Sequence, residues 1–123
     1  MKLENQILFS EVSGVFNREG NEAWCQDAEQ LLMKGSTETM EPWSVLLDCR
    51  QWGMAPPDSW DIANNFVRWM SQHNGVYLSI VFDKKIQVFA ADDGFKDQTM
   101  VGFFFDYNEA YQMCEQKLRE LDI

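Results

Sequence analysis

The amino-acid sequence predicts an α/β fold: a mixed sheet of four to five strands, parallel at its centre, with three to four helices. Two apolar runs, residues 44–48 and 76–82, are typical of strands covered on both faces. An amphipathic helix separates them, and alternation of strands with helices indicates a layered fold with crossover connections. Because 123 residues suffice for one hydrophobic core, we expect residues 1–123 to form a single domain.

Residues 7–35 predict the first strand and the first helix. Residues 7–16, ILFSEVSGVF, are rich in β-branched and aromatic types, and Gly14 is a candidate bulge position. Residues 17–21 are typical of a turn, and Asn21 suits a helix N-cap. Between residues 22 and 34 the apolar side chains recur on one helical face, and Gly35 follows the last turn.

The central strand, residues 44–48, precedes the clearest helix of the chain, residues 59–72. At about 100° per residue, its apolar side chains fill one half of the helical wheel. They are Trp60, Ile62, Ala63, Phe66, Val67, Trp69 and Met70. Asn74 and Gly75 end this helix, and residues 76–82 then form a buried strand.

The last third of the chain predicts a crossover, a strand and a final helix. Residues 84–98 fit either a short helix or an irregular crossover. Residues 101–105, VGFFF, are typical of a strand, and Asn108 suits the N-cap of the final helix.

The charge of the chain disfavours nucleic acid as a partner. Ten Lys and Arg face twenty Asp and Glu, which gives a formal charge of -10. An acidic surface repels phosphate backbones and anionic headgroups, because binding them depends on clustered Lys and Arg. The only adjacent basic pair is Lys84 and Lys85, which follows Asp83.

The cysteines and the apolar runs bear on the location of the protein. Cys25, Cys49 and Cys114 are an odd number without metal-ligand spacing, so we expect reduced thiols and a cytoplasmic location. The first apolar run breaks at Ser10 and Glu11, and we expect neither a signal peptide nor a transmembrane segment.

Three short segments carry a resemblance to a known family. Residues 14–17 (GVFN) end the first strand before a helix, and residues 45–48 (VLLD) form a buried strand that ends in Asp. Residues 106–110 lead from the last strand into a helix that contains Glu109 and Ala110. The chain resembles, over nearly its whole length, the STAS domain of bacterial anti-sigma factor antagonists and sulfate transporter tails, in its SpoIIAA-like branch. The resemblance implies a regulatory or protein-binding module without enzymatic activity.

The same resemblance makes Ser59 a candidate phosphosite. Regulatory members of the family carry a phosphorylatable Ser or Thr where the helix after the central strand begins. This chain has Asp58 and Ser59 there, but Trp60 and Asp61 replace the small residues of that motif. Since Ser and Asp are preferred N-caps, we favour the interpretation that one of them caps the helix.

No residue pattern indicates catalysis, a metal or a cofactor. Cys49 follows a strand, but Ala55 stands where a Cys-x5-Arg phosphate loop would place its arginine. His73 is the only histidine and fits a helix C-terminus. Residues 92–97 lack the alternating ligands and the terminal Glu of a calcium loop. We therefore expect a binding protein rather than an enzyme.

The segment after the central strand is the candidate contact site. In open α/β sheets ligands dock at the carboxyl ends of strands, and the apolar residues here are Trp52, Met54, Pro56, Pro57 and Trp60. If these side chains are exposed, they favour a protein partner. If they are folded onto the sheet, they cover its edge. The alternative function is a carrier of a small apolar ligand, lined by Trp60, Phe66, Val67 and Trp69. The sequence leaves open whether the protein is a monomer or a homodimer.

Overall fold

A five-stranded mixed sheet organises the residues that the computed structural model describes, which are 1–15, 17–35, 41–53, 59–96 and 98–120. The strands lie in chain order: β1 (Lys2–Glu4), β2 (Ile7–Gly14), β3 (Trp43–Trp52), β4 (Gly75–Val81) and β5 (Val101–Phe104). The helices in this part of the chain are α1 (Arg18–Gly35), α2 (Trp60–Gln72), α3 (Lys85–Phe95) and α4 (Tyr107–Arg119). The predicted α/β class with a parallel sheet centre is confirmed.

The parallel strands β2 to β5 are apolar on both faces, as buried parallel strands must be. One face, which includes Leu8, Val45 and Leu78, packs against α1, α2 and α3. The other face, which includes Ile7 and Leu46, packs against α4. The sheet is therefore the middle layer of three, with three helices on one side and α4 on the other.

β1 forms an antiparallel hairpin with β2 that the sequence did not predict. The turn residues Asn5 and Gln6 both have positive φ, 53° and 68°. Positive φ at both central residues is the conformation of a type I′ hairpin turn, which normally takes glycine at its second position. Gln6 in that position removes the sequence signal for the hairpin.

Two helices begin earlier than predicted. The Asn17 side chain accepts a hydrogen bond from the Gly20 amide at 2.8 Å, so Asn17 and not Asn21 caps α1. Asp106 likewise accepts from the Asn108 amide at 2.8 Å and caps α4 in place of Asn108. In both places the correct cap is the first Asn or Asp of the turn.

β3 runs four residues beyond its predicted end at Asp48 and past the end of β4. The register shift in β2 and β3 lies where Glu11 pairs with Asp48 and Ser13 with Gln51, so β3 carries one extra residue there. Gly14, the predicted bulge position, instead ends β2 with φ +72°. No helix in the described ranges has both the length and the apolarity to cross a membrane.

Candidate ligand-binding cavity

The extension of β3 beyond β4 forms one wall of the candidate site. On one side it remains paired with β2, with Trp52 opposite Gly14 and a 2.7 Å bond from the Gly53 amide to the Gly14 carbonyl. On the other side β4 has ended, and a side chain from α3 takes the place of a strand. That side chain is Gln87.

Gln87 holds the start of α3 against the β3 extension through four hydrogen bonds. Its Nε2 donates to the carbonyls of Trp52 at 2.8 Å and Cys49 at 3.2 Å. Its Oε1 accepts from the amides of Asp83 and Lys84, both at 2.9 Å. Because Gln87 is only 3% exposed, these bonds satisfy its side-chain amide in place of water.

A partly enclosed cavity of about 80 Å³ lies between the sheet and the helices α1, α2 and α3. Its floor includes Val12, Leu47 and Ile80 from three neighbouring strands. Its walls are mainly aromatic, formed by Trp24, Trp52, Trp60, Phe66, Phe82 and Phe95. The site is therefore an apolar pocket at the end of the sheet where α2 and α3 begin.

The aromatic rings of the walls pack against one another largely edge to face. The Trp52 and Trp60 rings lie 6.0 Å apart at 88°, and those of Trp60 and Phe95 lie 5.2 Å apart at 72°. Trp24 and Phe66 make a third such pair at 5.1 Å. Such contacts add to the stabilisation from burial, so we expect a shaped pocket rather than a fluid one.

Two thiols and two polar side chains also line the cavity, namely Cys25, Cys49, Asn21 and Ser59. Burial raises the pKa of the Cys49 thiol, and Asp48 raises it further. Burial, with smaller effects of Glu29 and Glu22, raises the pKa of Cys25 to about 12. Both thiols are therefore protonated at neutral pH, which opposes nucleophilic chemistry because the thiolate is the nucleophile.

Trp52 is only 8% exposed, so of the two alternatives that the sequence left open, an exposed contact or a side chain folded onto the sheet, the structure has the second at this residue. The indole is buried because the extra residue of β3 turns it to the face that α2 and α3 cover. Trp60 is half-buried and lines the same cavity. Met54, Pro56 and Pro57, the other predicted contact residues, lie outside the described residues.

Ser59 stands at the N-cap position of α2, but its side chain makes no capping hydrogen bond among the described residues. Its predicted capping role is therefore only positional. The side chain is 1% exposed and lines the cavity. Phosphorylation would require α2 to open locally, because neither a kinase nor a phosphate group fits at a fully buried hydroxyl.

The four residues of the predicted carrier lining do not all lie at one cavity. Trp60 and Phe66 line the cavity, whereas Val67 belongs to the closed core and Trp69 faces a separate groove between α1 and α2. Trp69 instead stacks on His73, with ring centroids 4.4 Å apart, at the end of α2.

The contribution of α3 is what sequence reasoning missed. Ala91 and Phe95 line the cavity, and Gly94 lets α3 approach α2 so closely that an added Cβ would lie 2.2 Å from Trp60 Cδ2. The Asn64 side chain fixes this contact by donating to the Gly94 carbonyl at 2.9 Å. Because glycine within an acidic segment is typical of a loop, the sequence did not indicate this contact between α3 and α2.

Asp48, the strand-end residue of the family resemblance, is held in a local ion pair. The Arg50 guanidinium donates to both carboxylate oxygens, at 3.0 and 2.7 Å, and holds the pKa of Asp48 below its usual range. Arg50 also lies over the Tyr107 ring, 5.6 Å from its centroid. Within the described ranges, no three His, Cys, Asp or Glu side chains are placed to hold a metal ion.

The fold has counterparts among solved structures. One is an uncharacterised protein of the DUF3478 family with a SpoIIAA-like fold from Shewanella loihica PV-4, with a TM-score of 0.58 and 14% identity, over 85% of this chain and 82% of that chain. Another is a sulfate transporter family protein from Wolinella succinogenes, with a TM-score of 0.52 and 12% identity, over 94% and 93%.

These likenesses define a STAS-like α/β fold of the SpoIIAA-like kind, as the resemblance in the sequence implied. At such low identities they establish the fold alone. No protein-family model and no curated protein matches the sequence.

Proposed function

We propose that the protein is a non-enzymatic binding module that carries a small apolar molecule in the cavity between the sheet and α1, α2 and α3. The supporting observation is the cavity itself, walled by six aromatic side chains at the carboxyl end of the parallel strands. Ligand sites of open α/β sheets lie at this end. Apolar pockets with few polar groups are the usual form of small-molecule sites.

The size of the cavity limits the ligand. An apolar cavity of about 150 Å³ in another protein remains dry and binds benzene. The cavity here, about 80 Å³, accepts a smaller group or the end of one alkyl chain without rearrangement. A monoalkyl compound whose polar end stays near Asn21 and Ser59 fits both the apolar walls and the polar lining.

The alternative function, a regulatory module that binds a protein partner, is supported by the fold alone. STAS-like folds suit binding modules, but a protein contact through Trp52 requires an exposed indole. A switch at Ser59 requires an accessible hydroxyl. The burial of both side chains favours the carrier hypothesis over the partner-binding one.

Filling the cavity should weaken ligand binding. Ala63 lines the cavity on α2, so Ala63→Leu should fill it and weaken binding of decanoic acid about tenfold or more. Quenching or shift of tryptophan fluorescence measures the affinity. Ala23→Leu, an exposed position on α1, is the matched control and should bind as the wild type does.

Two results would contradict the proposal. One is that the wild type does not bind decanoic acid and that native mass spectrometry of the purified protein finds no apolar compound. The other is equal binding by both leucine variants, which would place the ligand outside the cavity.

A further inference from the structure

The exposed side of α3 is centred on an apolar side chain. Phe89 lies near the middle of the helix and is 79% exposed, and Ile86, one turn before it, is 63% exposed. The opposite side of α3, with Ala91 and Phe95, lines the cavity. Since a surface helix normally exposes a polar side, Phe89 and Ile86 indicate a contact with another molecule.

The charges of residues 83–96 change sign from one side of Phe89 to the other. Outward from Phe89, the exposed charges are two lysines and then an aspartate towards the N-terminus, and two aspartates and then a lysine towards the C-terminus. They are Asp83, Lys84, Lys85, Asp92, Asp93 and Lys96. This segment is therefore neutral, in a chain whose net charge is -10. Asp97, which follows it, lies outside the described residues.

The charges of α3 are placed against its own helix dipole. Lys85 lies in the first turn, at the positive end of the dipole, and Asp92 and Asp93 lie in the last turn, at the negative end. α4 has the usual order, with Glu109 in its first turn and basic residues in its last. The order in α3 destabilises an isolated helix, but it suits a neighbouring helix that runs in the opposite direction.

We propose that α3 is the contact between two copies of this chain, packed antiparallel around a two-fold axis near Phe89. Lys85, Phe89 and Asp92 are four and three residues apart, so they lie along one side of the helix. In the antiparallel pair, Phe89 packs against its equivalent, and each Lys85 lies at the level of Asp92 of the other copy. Each lysine then faces the negative end of the neighbouring helix dipole, and each aspartate faces the positive end.

A second copy fits this side of α3 better than a strongly charged partner does. Because a two-fold contact is self-complementary, the change of sign around Phe89 sets each charge of residues 83–96 beside one of opposite sign. A nucleic acid, an anionic membrane or a basic protein would meet lysines and aspartates in equal number. The neutral segment also lets two acidic copies approach with little local repulsion.

The size of the contact predicts a weak dimer. α3 has 11 residues, so it is about 16 Å long and about 10 Å wide. Contact along one such helix buries less than the roughly 800 Å² per partner that is typical of stable complexes. Exposed ion pairs add little free energy and mainly set the direction of the two helices. We therefore expect association at high micromolar concentration, stabilised mostly by burial of Phe89.

Sedimentation equilibrium of the wild type and of charge variants tests the proposal. We expect reversible dimers of the wild type, and Lys85→Asp should weaken association about fivefold or more, because two attractive pairs become repulsive. Loss of α3 cannot explain that result, since an aspartate in the first turn suits the helix dipole. The double variant Lys85→Asp with Asp92→Lys keeps the net charge of -10 and reverses both members of each pair, so it should associate as the wild type does.

An independent measurement uses the apolar centre of the contact. Phe89→Ser should weaken association about tenfold or more, because one large apolar side chain of each copy leaves the contact. Met33→Ser on α1 removes another exposed large apolar side chain and is the matched control, which should associate as the wild type does. All the substituted positions are exposed, so the variants should fold, and circular dichroism checks this.

Three results would overturn the antiparallel dimer. One is a wild type that remains monomeric at millimolar concentration. Another is equal association of Lys85→Asp and the double variant, which would show that the two helices do not run antiparallel. The third is equal weakening by both serine variants, which would place the association outside α3.

Discussion

At the scale of single residues, Gln87 decides where α3 lies. It joins four backbone groups from two segments, and in doing so replaces the strand that β3 lacks beyond Asp48. Nothing in its sequence context distinguishes it from an exposed helical glutamine. Its role depends on where β4 ends relative to β3, which is a property of the assembled sheet.

Gln87→Leu should lower the free energy of unfolding by about 2–4 kcal/mol, because it removes the partner of two buried carbonyls and of two partly buried amides. Urea unfolding measures the loss, and hydrogen exchange at the Asp83 and Lys84 amides should accelerate. Gln112→Leu, exposed on α4, is the matched control and should change stability little. A similar loss in both variants would show that the four bonds contribute nothing specific.

The buried Cys49 thiol predicts a pH dependence. Its pKa is raised in the folded protein, whereas in the unfolded chain a thiol ionises at about pH 8.5. The unfolded state therefore loses the proton first, so stability is complete below about pH 8 and declines as the pH rises above the unfolded value.

We expect Cys49→Ala to make this decline shallower between about pH 8 and pH 10 in urea unfolding. Val12→Ala also shortens an apolar side chain of the cavity but removes no titrating group, so it should keep the wild-type slope. Identical slopes of stability against pH in the wild type and both variants would contradict a raised pKa of the Cys49 thiol in the folded protein.

At the scale of elements, hydrophobic periodicity predicted best the helix whose apolar side chains lie on one side. The one-sided apolar pattern of α2 gave its range almost to the residue, since 59–72 was predicted and Trp60–Gln72 is observed. α3 was ambiguous because apolar side chains on two sides erase the helical period. The β1 hairpin was missed because its turn lacks glycine.

The contact of α3 with α2 gives a prediction at Gly94. Gly94→Ala should destabilise the protein by about 1–3 kcal/mol through overpacking against Trp60, although alanine is the better helix former. Trp60→Leu should remove most of that penalty, so a double-mutant cycle by urea unfolding would show strong coupling. Additive effects would mean that α3 shifts freely away from α2.

At the scale of the whole molecule, the sequence located the candidate site but not its nature. The carboxyl end of β3 was expected to hold it, and the cavity lies there with Trp52 and Trp60 in its walls. Burial of Trp52 was not predictable, because periodicity carries no information in a segment expected to be a loop. The contribution of α3 was not predictable either, because it depends on the relative ends of two strands.

The extra residue in β3 also determines how the end of this strand would respond to a change in its length. Side chains alternate along a strand, and Leu47 and Cys49 face the cavity, so strict alternation would direct Trp52 to the α4 side. The shift in register restores Trp52 to the cavity side, opposite Gly14. Loss of one residue between Cys49 and Trp52 would therefore make the two strands pair regularly and leave Trp52 opposite Gly14 on the cavity side, whereas pairing of the present length without the extra residue would turn Trp52 towards α4 and remove one wall of the cavity.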